Sequence, residues 1–142
     1  TGQIQERTAG ELQAAYRSCP ALKTHIALQA VLRGETGSPQ AIEQRMTEYS
    51  QKRWKSQPAA PSAGCVFKNP GSISAGKLID ELGLKGARVG GAVVSSEHGN
   101  FIVNDGTATA HDVLALIEVV QQRARLERGI ELETEVEIIG DQ

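Results

Sequence analysis

The sequence has few of the side chains from which metal sites and disulfide frameworks are built. Its 142 residues include only two cysteines and three histidines. The cysteines lie far apart and the histidines are scattered, so they match neither a disulfide framework nor the ligand spacing of a metal site. We therefore predict no bound metal, and we predict the reducing cytoplasm as the compartment.

The sequence also lacks an excess of charge of one sign and a long apolar run. It has 15 basic and 17 acidic residues, without a block of like charges. Such a balance gives no electrostatic reason to bind nucleic acid or an anionic membrane. Its apolar stretches are shorter than the roughly 20 residues that cross a bilayer. We predict neither nucleic acid nor a membrane as a partner.

A dinucleotide-binding fingerprint is missing as well. The glycines at positions 83, 86, 90 and 91 lack the preceding strand, the spacing and the downstream acidic residue that the fingerprint needs. We interpret them as turn and close-packing positions, and we predict no cofactor site within this chain.

The pattern that is present mixes helix and strand signals without repeats. Four residues can cap a predicted helix: Thr8, Ser38, Ser74 and Thr109. Four segments are predicted as strands: 25–33, 89–94, 101–103 and 131–139. Because the order of elements is mixed, we predict an α+β fold of layered helices and sheet rather than a doubly wound sheet.

The most informative segment is residues 61–70, which read PSAGCVFKNP. Its small residues allow backbone to approach a ligand closely, and Cys65 is an ionisable proton donor. Lys68 and Asn69 supply polar groups for anionic oxygens. A lone cysteine is also compatible with an inert, buried position, so these residues by themselves are only suggestive.

This segment closely resembles the active-site segment of UDP-N-acetylenolpyruvoylglucosamine reductases, where serine usually stands in place of Cys65. Upstream, residues 16–19 (YRSC) are similar to the Tyr-Arg-x-Ser element of that family, and residues 129–140 are similar to its C-terminal strand. The intervening segments follow the family's order, in the type without the extra substrate-covering insertion. The resemblance covers nearly the whole chain.

The resemblance implies three catalytic residues. Arg17 would contact the reacting end of the substrate, Cys65 would give a proton to the substrate carbon, and Glu135 would stabilise the enolate. A thiol, with an ordinary pKa of about 8.5, is a better acid than a serine hydroxyl and is mostly protonated at neutral pH. Other interpretations remain open, because Arg17 could be a solvated residue at a helix end and Glu135 a member of a solvated acidic stripe.

The same resemblance implies three substrate-binding residues. Asn69 would contact the UDP portion, Lys68 beside it would help to neutralise the diphosphate, and Tyr16 would accompany Arg17. Polar residues of the 53–57 linker are further candidates. His98 and Asn100 also recur in this type of the family, although a histidine in a turn before a strand could equally hold the loop by hydrogen bonds.

The resemblance further implies an FAD-dependent, NADPH-using reductase of peptidoglycan precursor synthesis, with the flavin bound mainly by a region that has no counterpart here. We therefore expect a C-terminal fragment, inactive alone. Residues 1–34 would be the remnant of the FAD-binding domain that carries the Tyr-Arg element, and residues 35–142 the substrate-binding domain. The alternative is a non-catalytic module, derived from that family, that binds a nucleotide sugar or a protein partner.

Overall fold

The computed structural model describes residues 2–140, which form two units. The first unit ends at Gly37 and the second begins at Ser38. That residues 1–34 belong to a flavin-binding domain stays a prediction. None of the helices in the described part of the chain combines the length and the apolar composition that crossing a bilayer requires.

The first unit has little regular structure, and two predicted elements are wrong there. Thr8 and Glu11 do pair, since the Thr8 N–H donates to the Glu11 carboxylate at 2.7 Å and lowers its pKa. This pair does not begin a helix, because Gln13 has φ +47°, which turns the chain away from a helical path. Residues 25–33 form no strand, since no described segment accepts their ladder hydrogen bonds. A short 3-10 helix covers Pro20–Lys23.

From residue 38 to residue 140, the second unit contains three helices and four strands. The helices are α1 (Pro39–Ser56), α2 (Ala75–Glu81) and α3 (Ala110–Arg128). The strands are β1 (Ser62–Cys65), β2 (Arg88–Val89), β3 (Ala92–Val94) and β4 (Phe101–Asn104). The strands form one antiparallel sheet in the order β1-β4-β3-β2. The predicted α+β class is confirmed.

The helix boundaries of this unit are those that the caps predict. The Ser38 hydroxyl accepts the Ala41 N–H at 3.2 Å and begins α1. Thr109 and Asp112 form a complete capping box at the start of α3, and Gly129 ends that helix with φ +62°. Such caps satisfy backbone groups that a helix end leaves without partners.

The core joins the sheet to α2 and α3. Its largest fully buried side chains are Phe67, Leu78, Ile79, Val94, Leu116 and Val120. They come from the segment after β1, from both helices and from β3. The core therefore holds the segment that follows Cys65 against the helices.

Two predicted strands of this unit need correction. Segment 89–94 is a hairpin, because Gly90 takes φ +51° and separates β2 from β3. Segment 131–139 makes a single bridge, between Thr134 and Phe67. The Val66 carbonyl accepts the N–H groups of both Glu135 and Val136, at 2.8 and 3.4 Å, and this shared acceptor interrupts the regular ladder.

Candidate functional site

The candidate site begins with an irregularity in β1 immediately before Cys65. Ser62 pairs with Val103, but Cys65 pairs with Phe101, so the register shifts between them. Gly64 absorbs the shift with φ +87°, a backbone conformation that favours glycine. A bulge of this kind turns the following side chain in a new direction. The half-buried Cys65 thus stands where the regular pairing of β1 ends.

The backbone after Cys65 is held by the segment that carries Glu135. The Glu135 N–H donates to the Val66 carbonyl at 2.8 Å, and the Lys68 N–H donates to the Glu133 carbonyl at 2.9 Å. Glu135 is half-buried. The structure therefore brings Cys65 and Glu135 onto neighbouring, hydrogen-bonded backbone segments, although they are far apart in sequence.

Lys68 and Asn69 continue from this segment towards α2. The Lys68 ammonium lies 3.0 Å from the Glu133 carboxylate in an exposed ion pair. The Asn69 side-chain oxygen accepts the N–H of Ala75, the first residue of α2, at 2.9 Å. Asn69 thereby fixes the turn between the Cys65 segment and α2 while its residue remains exposed.

Tyr16 and Arg17 lie in the first unit. A tight turn closes between Ala15 and Ser18, whose backbone groups exchange hydrogen bonds of 2.8 and 3.1 Å. Arg17 adopts φ +51° in this turn, a conformation that costs energy for a residue with a β-carbon. Its guanidinium lies 5.3 Å from the centre of the Tyr16 ring. Tyr16 and Arg17 therefore form a local cation–π contact on an exposed turn.

Asn100 is a supporting residue whose contact with Phe67 the sequence pattern did not reveal. It is 3% exposed, and its carboxamide bonds to both backbone groups of Phe67. Phe67 lies 33 positions away, so no local pattern marks the pair. The expectation that His98 holds its loop by hydrogen bonds is confirmed, since its Nδ1 accepts the Asn100 N–H at 3.1 Å.

The electrostatics of this support favour a neutral histidine. Partial burial, and secondarily the charge of Lys85, hold the pKa of His98 below its ordinary value of 6.5. A neutral ring keeps Nδ1 as an acceptor for the Asn100 N–H. Among residues 2–140, no group of three or more His, Cys, Asp and Glu side chains could hold a metal ion.

The Gly90-Gly91 turn does not fit a flavin dinucleotide. Gly90 and Gly91 lie against the start of α3, and the Asp112 carboxylate of that helix occupies the space beside them. It lies 2.5 Å from the position that a β-carbon on Gly90 would take. Hydrogen bonds from Thr109 hold the pKa of Asp112 below its usual range, so the group is an anion that would repel a diphosphate. This turn is therefore a structural contact between the hairpin and α3.

Residues 57–139 match a family model described as UDP-N-acetylenolpyruvoylglucosamine reductase, C-terminal domain. The chain is also similar to curated reductases of that name. It is 42% identical to the one from Deinococcus radiodurans over 139 residues, which are 98% of this chain and 46% of that protein. It is 47% identical to the one from Heliobacterium modesticaldum over 143 residues, 99% of this chain and 46% of that protein.

A solved structure shows the same similarity. The crystal structure of UDP-N-acetylenolpyruvylglucosamine reductase from Thermus caldophilus aligns with a TM-score of 0.57 and 56% sequence identity. The alignment covers 68% of this chain and 34% of that one. The chain spans about half the length of the curated relatives it matches.

Proposed function

This chain belongs to the UDP-N-acetylenolpyruvoylglucosamine reductase family, and we propose that it supplies the substrate-binding part of such a reductase. The reaction converts UDP-N-acetylglucosamine enolpyruvate to UDP-N-acetylmuramate for peptidoglycan precursor synthesis, in the cytoplasm. The observation that supports this most is the hydrogen-bonded pairing of segment 66–68 with 133–135, which joins the segment after Cys65 to the segment that carries Glu135.

Cys65 is the proposed proton donor. Reduction of the enolpyruvyl double bond adds a hydride at one carbon and a proton at the other, and the thiol delivers that proton. A general acid of this kind must be held in reach of the carbon it protonates. The bulge at Gly64 and the pairing of residues 66–68 provide such a fixed position.

Arg17 and Glu135 are the proposed stabilisers of the negative charge that precedes protonation. The guanidinium of Arg17 is permanently charged and donates in a fork that fits a carboxylate or an enolate. Glu135 would donate a hydrogen bond to the same enolate. Arg17 and Glu135 stabilise this charge until Cys65 protonates the carbon, so all three residues act in the reduction of the substrate by the flavin.

Lys68 and Asn69 are the proposed contacts to the UDP portion, with Tyr16 beside Arg17 at the reacting end. Lys68 is engaged with Glu133, and an exposed pair of this kind has little net stability. A diphosphate can therefore displace Glu133 from Lys68 at small cost. Asn69 is held by its bond to Ala75 and offers a preorganised amide.

FAD and NADPH are the proposed redox cofactors of the complete reductase, and a flavin-binding region apart from residues 35–142 holds the FAD. Residues 1–34 are proposed to belong to that region. On this proposal the chain alone is inactive, because it binds substrate without a source of hydride.

Single-turnover kinetics of the complete reductase test the proposal. Replacing Cys65 by alanine should slow reoxidation of the reduced flavin by substrate by about 10²-fold or more, the usual scale for losing a general acid. Flavin reduction by NADPH should keep its rate, because that step needs no proton at the substrate carbon. Reoxidation of the Cys65→Ala variant at the native rate would show that Cys65 is not the donor.

A further inference from the structure

Asn100 makes an unusual set of contacts with the two residues that follow Cys65. Its side-chain oxygen accepts the Phe67 N–H at 2.9 Å, and its side-chain nitrogen donates to the Phe67 carbonyl at 2.8 Å. Its own backbone carbonyl accepts the Val66 N–H at 2.9 Å. One residue thus supplies three hydrogen bonds to the backbone of Val66 and Phe67.

These bonds replace a missing strand. The pairing of β1 with β4 ends at Cys65 and Phe101. On the other side, the bridge between Phe67 and Thr134 is made by hydrogen bonds of the residues that flank them. The N–H and C=O of Phe67 itself therefore point away from Thr134. A carboxamide carries a donor and an acceptor side by side, as a peptide unit does, so Asn100 serves as the partner that the sheet lacks. Because Asn100 and Phe67 are buried, removing the side chain would leave both Phe67 groups without partners in the core.

Asn100 is itself held rigidly. Its N–H donates to Nδ1 of His98, whose ring packs edge-on to Phe101 at 4.9 Å between centres. The ring also abuts α2, since a β-carbon on Gly76 would lie 2.8 Å from His98 Cε1. The support therefore runs from α2 through His98 and Asn100 to the backbone beside Cys65.

We infer that Asn100 is a positioning residue for Cys65, holding the thiol at the angle and depth that proton transfer to the substrate requires. This inference rests on the proposed role of Cys65. It assigns Asn100 no contact with substrate. The Val66 carbonyl also accepts the Glu135 N–H, so the same support fixes the backbone that joins Cys65 to Glu135.

Alkylation of the two cysteines by iodoacetamide gives a test that does not depend on activity. Mass spectrometry of the peptides that contain Cys65 and Cys19 measures each rate in the same sample. In the Asn100→Ala variant, Cys65 should react about fivefold faster or more, because two hydrogen bonds to Phe67 are removed and the net loss of even one changes local opening by about that factor. Cys19 lies in the first unit and should keep its rate, which controls for the amount of reagent and the reaction time.

Asn104→Ala is the matched control. Asn104 ends the same strand, β4, and its side-chain oxygen also accepts two backbone N–H groups, those of Gly106 and Ala108 at 2.7 and 3.0 Å. Its bonds lie at the turn towards α3, so this variant should leave the Cys65 rate unchanged. Should Asn100→Ala fail to fold, Asn100→Asp retains the acceptor for the Phe67 N–H and replaces the donor to the Phe67 carbonyl by a second carboxylate oxygen, and its Cys65 rate should also rise.

Kinetics of the complete reductase separate positioning from general support. Asn100→Ala should lower kcat by about 10-fold or more while KM changes less than about twofold, since a small misplacement of a reacting group is costly. Equal Cys65 alkylation rates in the native, Asn100→Ala and Asn104→Ala proteins would overturn the inference. If Cys65→Ala proves fully active while Asn100→Ala still exposes Cys65, the proposed role of Cys65 fails and the structural link between the two residues stands.

Discussion

The thiol of Cys65 is the side chain on which the proposed chemistry depends most. Its half-buried position at the end of β1 leaves part of it accessible. A serine hydroxyl has the same reach and can also donate a proton, although it is a weaker acid. The two residues therefore differ mainly in reactivity towards electrophiles.

We expect the complete reductase to lose activity on treatment with iodoacetamide, and the Cys65→Ser variant to remain active and to resist the reagent. Turnover measured before and after alkylation checks this. Inhibition of Cys65→Ser to the same extent as the native enzyme would place the sensitive thiol elsewhere, with Cys19 as the first residue to replace.

Glu135 can be tested separately from the backbone that carries it. Glu135→Gln keeps the shape of the side chain and the backbone bond to Val66, so the fold should survive. We expect flavin reoxidation by substrate to slow by about 10²-fold, because an amide N–H is a far weaker acid than a carboxyl O–H and stabilises a developing oxyanion less well. Arg17→Ala should slow the same step. Stopped-flow absorbance that instead shows slower flavin reduction by NADPH would contradict this assignment.

Close packing between α2 and the turn before β4 is a property of two elements rather than of one residue. A β-carbon on Gly99 would lie 2.6 Å from the Gly76 carbonyl oxygen, a backbone atom that cannot swing aside. Gly99→Ala should therefore destabilise the fold by about 1–3 kcal/mol, the range for overpacking.

Gly34→Ala is the control, because a β-carbon there has no neighbour within 4 Å and the backbone is free of positive φ. Urea denaturation measures both free energies of unfolding. A Gly99→Ala variant as stable as Gly34→Ala would mean that α2 and the turn can separate without cost.

The pKa of His98 makes the same turn sensitive to pH. Burial holds that pKa below 6.5 in the folded chain, so below about pH 6.5 the unfolded chain binds a proton that the folded chain does not. The stabilisation is thus complete above the unfolded pKa and falls as pH drops towards the folded one. We expect the stability difference between the native protein and His98→Gln to narrow on going from about pH 7.5 to about pH 5.5. Urea denaturation at both pH values that shows a constant difference would exclude this linkage.

The chain as a whole should bind no flavin of its own. The Gly90-Gly91 turn is occupied by Asp112, and we have proposed that a flavin-binding region apart from residues 35–142 holds the FAD. The purified chain should therefore lack flavin absorbance in the visible range, including after incubation with FAD and desalting. A yellow preparation with stoichiometric FAD would contradict the proposal that a region outside this chain is needed to hold the flavin.

The sequence by itself determined the family, the α+β class and the helix boundaries of the second unit. Ser38, Thr109 and Gly129 each act within one turn of their own helix, so the helix ends can be predicted from residues that are adjacent in the sequence. Cys65, Lys68 and Asn69 could also be proposed as site residues from the sequence, because the ten-residue segment that contains them is contiguous.

Only the tertiary structure decided how that segment is held. The bulge at Gly64, the shared Val66 acceptor and the Asn100 carboxamide all depend on which strands meet and in which register. Register follows from packing between residues far apart in the chain, which local patterns do not encode. For the same reason, residues 25–33 have the composition of a strand but form none, since a strand needs a partner as well as a propensity.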